Sequence, residues 1–517
     1  MKLLITFILG FLFSLSLFSQ VGKIIEPKDQ FAAIDSILDR VLKDHHVAGF
    51  AVAVVKGDNV IYSKGFGYRD FAQKKPVTPN TLFAIGSSSK AFTASLLGLL
   101  RKDGKLTFED RAVALLPALK FYNDEMDNQI VLKDLMAHRT GLSRYDLSWF
   151  LFNSKNRDSL ITRVRFMKPS SGLRMKWFYN NFMYLAQGMI VERLSGKTWE
   201  QNIQEKFFTP LQMTRSNTDI LAFQRDSDVS LPYSLSKDNT IKQIDYYNIN
   251  GMGPAGSINS SVSDMSNWLK VWLNQGYFNG KEILPTDYIK EAASSQMVMD
   301  AGLPDKHKDV FLSNYGLGWM IGSYRGHYQV EHGGNINGFS ANVSFFPTDT
   351  LGIVVLTNQN VSRVPTVVRN SISDILLGLD PIDWNGEKKA EIDSLRQVKK
   401  EAEKLPVPST KASHPLKQYI GSFENPAYGI IEIKLKDSHL YSELGHEKVI
   451  LLHRHYDVFD PHSVDKNGVV DTEPSNLLFN FFSDVDGQIQ GIGILLDGSE
   501  KPVMFDRKAD KNHSEQR

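Results

Sequence analysis

Apolar residues recur along this chain with two different periods, and their alternation predicts an α+β architecture. Ile34, Ile37, Leu38, Val41 and Leu42 share a helical face, so the spacing predicts a helix over Phe31–Asp44. The run Phe50–Val55, the turn Lys56-Gly-Asp-Asn59 and the run from Val60 to Tyr68 then predict a hairpin. Helical spacing returns over Ala91–Leu100, stopped by Asp103-Gly104, and over Val131–Leu142, stopped by Gly141. The stripe Phe182, Leu185, Ala186, Met189, Ile190 and Leu194 predicts an amphipathic helix closed by Gly196, and Val262–Trp272 predicts another. Residues 314–322, 328–335, 339–347 and 351–358 read as consecutive strands with glycine-rich turns, an antiparallel meander. A helix over Pro365–Leu377 would pack back on that sheet.

The pattern changes at Trp384. Glu387–Leu405 is rich in charge, with Ile392, Leu395, Val398 and Leu405 at helical spacing, and Pro406, Pro408, Ser409 and Thr410 follow. This predicts a connecting helix and linker, and hence a domain boundary. Beyond it, short strands broken by Gly, Asn and Asp predict a small antiparallel barrel or sandwich without a visible catalytic constellation. The layout expected is a leader at 1–20, a main domain at 25–383, a charged helical linker at 384–410 and a small β-domain at 411–509.

Composition narrows the possibilities. The chain has 517 residues, 42% apolar and 23% charged, as in a globular protein of two or three domains. A formal net charge of +1 gives no basis for nucleic-acid binding. The 13 histidines are scattered without metal-ligand spacing, and no metal or other cofactor is expected. Met1-Lys2 and the apolar run Leu3–Phe18, too short to span a bilayer, read as a secretory leader cleaved near Ser19 or Gln20. The mature protein is expected to be exported, periplasmic or secreted, with no membrane span. With no cysteine there is no disulfide and no thiol chemistry, so the core alone must stabilise it.

The stretch Phe83-Ala-Ile-Gly-Ser87-Ser-Ser-Lys90 joins a tight Gly86 turn to an apolar helix. Ser87 falls at or near a helix N-terminus, with Lys90 on the next turn of the same face. A hydroxyl needs a neighbour to take its proton, and a partly desolvated lysine can do so. Taken alone, Ser-x-x-Lys also fits an ordinary helix start. Tyr179 and Asn181 lie at the start of the 182–194 helix, where a loop can face a cleft, although Tyr179 also fits a packing role.

With Ser87-Ser-Ser-Lys90, Tyr179-Asn-Asn181 and His332-Gly-Gly334 in this order, the chain resembles the serine β-lactamase and penicillin-binding-protein superfamily. It looks closest to the class C β-lactamase-related serine hydrolases, which include D,D-carboxypeptidases, D-aminopeptidases and esterases. The similarity covers roughly residues 30 to 380, and the segment after 410 resembles the small β-domain often appended to such hydrolases. Segments 135–142 and 254–264 resemble structural segments of the family.

The resemblance implies a β-lactamase/transpeptidase-like fold and an acyl-enzyme on Ser87, with Lys90 and Tyr179 sharing the general-base task and Lys90 holding the tyrosine near its phenolate form. Asn181 would bond substrate or Lys90, and the backbone N–H groups of Ser87 and Asn335 would form an oxyanion hole. His332, Gly334 and Asn335 would line the substrate strand. Penicillin-hydrolysing members usually carry lysine where His332 stands, so weak attraction for carboxylate-bearing substrates is expected, with His332 still able to donate one hydrogen bond. The substrate implied is a small molecule or peptide with an amide or ester bond. A catalytically idle protein that binds peptide or cell-wall fragments is the alternative. Neither the natural substrate nor the oligomeric state is legible in the sequence.

Overall fold

The computed structural model describes residues 27–509 apart from 301, 305, 403–407, 446, 465–467, 476 and 497–500, so the leader read at 1–20 lies outside the described residues. The main sheet is built from β1 (Gly49–Lys56), β2 (Asn59–Asp70), β3 (Lys75–Pro76), β4 (Met297–Asp300), β5 (Val310–Tyr315), β6 (Met320–Tyr324), β7 (His327–Ile336), β8 (Phe339–Phe346) and β9 (Leu351–Thr357). They run in the order β4-β5-β6-β7-β8-β9-β1-β2-β3, every neighbour antiparallel.

The central strands are apolar at successive positions because both faces are covered. Ala51, Ala53 and Val55 of β1 face one core, whereas Phe50, Val52 and Val54 face a second. On the second face lie α1 (Pro27–Asp44), through Ile34, Leu38 and Val41, and a late helix, Val364–Leu376, through Val364, Val367 and Val368. On the first face lie α2 (Ser89–Lys102), α3 (Asp146–Phe150), α4 (Asn181–Ser195) and α5 (Val262–Leu273). Burying each large side chain here contributes roughly 1.5–3 kcal/mol. The helix Val364–Leu376 is α6, and α7 (Trp384–Ala402) leads out of this three-layered domain.

Two elements differ from the sequence expectation, and both differences shape the cleft. The helix expected over 131–142 is confined to Leu132–Met136, because His138 adopts a left-handed backbone at φ 55° and turns the chain. The single strand expected over 314–322 is a hairpin, β5 and β6, bent by a turn over residues 316–319. As a result β6 pairs with β7 only as far as Met320 opposite Glu331. From His332 onward β7 pairs with β8 alone, which leaves its other edge open.

The second domain is a barrel: β10 (Gly421–Asn425), β11 (Gly429–Lys436), β12 (His439–Leu444), β13 (Glu447–His455), β14 (Val458–Val464), β15 (Val470–Pro474), β16 (Phe479–Ser483), β17 (Ile489–Ile494) and β18 (Val503–Arg507). The order is β13-β12-β11-β10-β18-β17-β16-β14, closed by pairing of β13 with β14, and β15 sits outside on β14. Closure removes the free edges that a small sheet would otherwise expose. The barrel docks on α3 and the turn after it: Phe152 stacks on Phe505 at 6.0 Å, and Trp149 and Leu151 share one continuous core with Phe423, Tyr428 and Phe505.

Candidate active site

Ser87 enters its helix through a short turn. Phe83–Ala84 pairs with Asn259–Ser260, and Ile85 N–H donates to Ile258 O at 3.0 Å. Gly86 then turns the chain at φ 51°, and Gly86–Ser88 form a 3₁₀ turn that runs into α2. A left-handed backbone of this kind favours glycine. The turn docks on the open edge of β7, where Ser88 Oγ donates to His332 O at 3.0 Å. Gly334 permits the approach: a Cβ there would lie 1.8 Å from Ile85 O and 3.2 Å from Ser87 N. A Cβ on Gly86 would lie 2.7 Å from Asn335 N. The backbone amides of Ser87 and Asn335 are therefore neighbours at the contact between turn and strand. The Asn335 side chain is engaged elsewhere, its Oδ1 accepting from Ser340 Oγ at 2.8 Å and Val361 N–H at 2.9 Å.

Lys90 is fully buried, and its Nζ reaches three oxygens: Ser87 Oγ at 3.0 Å, Asn181 Oδ1 at 2.7 Å and Ala255 O at 2.7 Å. Burial holds its pKa well below the usual lysine range; Asp146 opposes that shift and Arg144 adds to it. A neutral amine has two N–H bonds and one lone pair. With the N–H bonds spent on Asn181 and Ala255, the lone pair faces the Ser87 hydroxyl.

Asn181 is spent at both ends, because its Nδ2 donates to Asp146 Oδ1 at 2.7 Å. Asp146 also accepts from Trp149 Nε1 at 3.0 Å and Arg144 Nε at 2.7 Å. The Arg144 guanidinium lies over the Tyr179 ring, 4.8 Å from its centroid. Asp146 and Arg144 thus close a polar loop around Ser87. They lie in a stretch with no helical or strand period, so periodicity does not single them out. Their one local signal is the polar sequence Ser143-Arg-Tyr-Asp146 directly after Gly141-Leu142. Ala255, within the segment 254–264, meets Lys90 through its carbonyl, which any residue type could supply, so its side chain gives no signal of the contact.

Tyr179 is buried beside Lys90, whose Nζ lies over its ring at 4.8 Å from the centroid rather than on its hydroxyl. Burial pushes the phenol pKa up, away from the phenolate expected from the sequence; Ser87 lies close enough to offset part of that rise. Hydroxyl and hydroxyl do not meet in a formed hydrogen bond, and the Tyr179 oxygen has no partner among the described residues. The basic group in contact with the Ser87 hydroxyl is therefore Lys90, and Tyr179 is held neutral beside it. His138 supports the tyrosine from behind, with ring centroids 4.4 Å apart. It accepts from Asn180 N–H through Nδ1 at 3.2 Å, and burial keeps it uncharged.

His332 is also buried, and both its nitrogens are taken. Nδ1 faces Gly333 O at 2.6 Å and so carries the proton, and Nε2 accepts from Tyr315 O–H at 3.0 Å. Burial and the nearby Lys90 push its pKa down to about 3. The expectation that His332 offers a hydrogen bond to substrate is thus corrected: its only N–H is used inside the strand.

These groups open into a cleft of about 620 Å³ walled by Ser87, Arg144, Trp149, Tyr179, Met252 and the β7 edge. Among the described residues no group of three or more His, Cys, Asp or Glu side chains could hold a metal ion, and no helix is long and apolar enough to cross a membrane.

A fold of this kind, with a Ser-x-x-Lys helix docked on a strand edge, defines a class of serine hydrolase, and comparison with known proteins agrees. The Beta-lactamase family model matches residues 34–373, and the chain belongs to that family. A domain of unknown function (DUF3471) matches residues 405–508. Unguisins hydrolase ungD' of Aspergillus campestris (strain IBT 28561) is 27% identical over 428 residues, covering 78% of this chain and 77% of that protein. Protein flp of Staphylococcus aureus (strain MW2) is 25% identical over 354 residues, covering 67% of each chain. In fold, the chain is similar to the octameric penicillin-binding protein homologue from Pyrococcus abyssi (TM-score 0.61, 21% identity, 92% of this chain and 99% of that one). It is also similar to a D-stereospecific amidohydrolase from Streptomyces sp. (TM-score 0.56, 19% identity, 68% and 99%). The fold is β-lactamase/transpeptidase-like, with the closed barrel as a second domain.

Proposed function

We propose that this protein is an exported serine hydrolase that cleaves amide bonds in peptides, of the D-amino-acid or cell-wall type, through an acyl-enzyme on Ser87. The observation that carries this reading is the buried, charge-depleted Lys90, held by two acceptors with its third contact on Ser87 Oγ. Lys90 takes the hydroxyl proton as Ser87 Oγ attacks the carbonyl carbon. The Ser87 and Asn335 amides face the developing oxyanion, an effect worth about 3–4 kcal/mol per donor in a comparable site. The neutral Tyr179 hydroxyl gives its proton to the leaving nitrogen, and water later releases the acyl group. Amide over ester is favoured because a leaving amine needs such a proton donor. The likeness in fold to a D-stereospecific amidohydrolase supports the same choice.

The test is labelling with a fluorophosphonate probe, followed by hydrolysis of D-amino-acid peptides. Intact mass should show one adduct on wild type and none on Ser87→Ala. A folded wild type that takes no label and cleaves no amide would return the protein to the idle-binding alternative. Export is tested separately, by sequencing the N-terminus of the protein recovered outside the cytoplasm.

A further inference from the structure

The catalytic cleft has two unlike walls. On the α6 side it is lined mostly by polar residues, Asn360, Ser362, Arg363 and Thr366. On the helical side Leu147, Phe150, Ile249, Met252 and Ile336 form an apolar patch, in which Leu147, Phe150 and Ile249 are half-buried rather than sealed. Apolar surface left in contact with water is unfavourable, and such a patch in a groove marks a place where a ligand covers it.

The patch owes its position to the two faces of α3. Residues three apart share a helix face. Ser148 and Leu151 face the barrel: Ser148 Oγ donates to Ala427 O, and a Cβ on Gly445 would lie 2.4 Å from Leu151 O. Leu147 and Phe150 form the other such pair and line the cleft. Tyr247 fixes them there. Its ring stacks on Phe150 at 4.8 Å, and its hydroxyl donates to Trp149 O and Phe150 O, each at 3.0 Å. Two residues further, Ile249 reaches the Ser87 turn: a Cβ on Gly256 would lie 3.2 Å from Ile249 Cδ1 and 3.5 Å from Gly86 C. Among the charged side chains that line the cleft, Asp146 accepts from Arg144 Nε at 2.7 Å, and Arg363 belongs to the opposite wall. The patch itself therefore offers a substrate neither an unpaired charge nor a charged residue of its own.

Position along β7 decides which part of the substrate meets the patch. Tyr179 stands at the upstream end, with its ring centroid 6.2 Å from that of His332. Ile249 and Ile336 share one recess with Tyr247, and Ile336 lies four residues beyond His332, roughly 13 Å along the strand. With Tyr179 giving its proton to the leaving nitrogen, the leaving group lies toward His332 and the acyl group toward Ile336.

We propose that this patch is the acyl-side specificity pocket, selecting substrates in which the residue before the scissile bond carries a bulky apolar side chain. The inference rests on the hydrolase reading above. The side chain would lie between Phe150 and Leu147 on one side and Ile249 and Met252 on the other, with the barrel holding α3 in place from behind.

The experiment uses full-length protein and capped dipeptides, acetyl-Xaa-alanine amides, made in the D and the L series with Xaa alanine, leucine, phenylalanine, glutamate or lysine. In the series that wild type cleaves faster, kcat/KM should rise about tenfold or more from the alanyl to the leucyl and phenylalanyl peptides. The glutamyl and lysyl peptides should be no better than the alanyl one, and mass spectrometry should find the cut directly after Xaa. Calorimetric titration of Ser87→Ala should rank the peptides in the same order without turnover. Phe150→Ala should lower the leucyl-to-alanyl ratio about threefold or more. Leu147→Lys is the second variant and reads a gain, which misfolding does not imitate: it should raise kcat/KM on the glutamyl peptide above that of wild type. A flat series, a wild-type preference for a charged side chain, absent binding throughout, or a variant pair that leaves the ranking untouched overturns the pocket. Ranked binding to Ser87→Ala, with neither cleavage nor probe labelling of wild type, would instead overturn the hydrolase reading and keep the pocket. Cleavage and labelling without ranking would keep the hydrolase and overturn the pocket.

Discussion

The Ser148 hydroxyl, on α3 of the catalytic domain, donates to the Ala427 carbonyl of the barrel across 2.6 Å of buried interface. The same short helix carries Asp146, which holds Asn181 on Lys90. The barrel is thus linked to Lys90 through one hydrogen bond, two residues of helix and one amide. Ser148→Ala leaves the Ala427 carbonyl without this donor and should cost about 1–3 kcal/mol of stability. It should also lower kcat, because α3 loses its seat. Calorimetry and steady-state kinetics together check this; lost stability at unchanged kcat would show that the barrel supports the fold without reaching the site.

Lys90→Met keeps the volume and removes the base. The loss in kcat should be on the order of 10²–10⁴-fold. Stability should move the other way. The folded-state pKa of Lys90 is lowered, so below the ordinary lysine value of about 10.4 the unfolded chain binds the extra proton and burial is destabilising; that penalty fades as pH rises toward 10.4. The methionine variant should therefore melt higher than wild type at neutral pH, with the difference shrinking at alkaline pH. Thermal melts across pH 7–10 test it.

Asp146 and Arg144 should tune that base in opposite directions. Asp146 raises the Lys90 pKa and Arg144 lowers it. The proposed mechanism requires neutral Lys90, so kcat/KM should rise with pH through its pKa. Asp146→Asn should move this acid limb to lower pH, and Arg144→Met should move it to higher pH. Profiles that shift in the same direction, or not at all, would separate the pair from the base.

The two buried histidines should make the fold acid-sensitive. Both have folded-state pKa values below the ordinary 6.5, His332 down to about 3. Their stabilising contribution is complete above pH 6.5 and is lost as pH falls through that value toward the folded pKa. Between pH 7 and pH 5 this amounts to about 2 kcal/mol for His332. His332→Gln should flatten the pH dependence of denaturant midpoints over that range.

A neutral, internally bonded His332 also bears on specificity. Wild type should prefer a neutral ester or amide to a carboxylate-bearing β-lactam by more than about tenfold in kcat/KM. His332→Lys should not reverse this, because the position is sealed and lies beside Lys90; it should instead lose the Tyr315 hydrogen bond and stability. A chromogenic β-lactam and a nitrophenyl ester give the two rates.

Periodicity alone determined much of this molecule. The runs Phe50–Val55 and Leu351–Leu356 required strands with two covered faces, the stripe from Phe182 to Leu194 required a packed helix, and the turn residues after Thr410 required many short strands. Ser87 and Lys90 were legible as candidates from their local spacing, and Tyr179 and Asn181 through the family resemblance that the three ordered motifs carry. What only the tertiary structure decided depends on contacts between distant segments. Asp146 meets Asn181 across 35 positions and Ala255 meets Lys90 across 165, with no periodic signal to announce either. The hairpin bend before Met320 exposes the β7 edge, and burial rather than residue type sets the charge of Lys90, Tyr179 and His332. A side chain's identity is written locally, but its solvation is a property of everything folded around it.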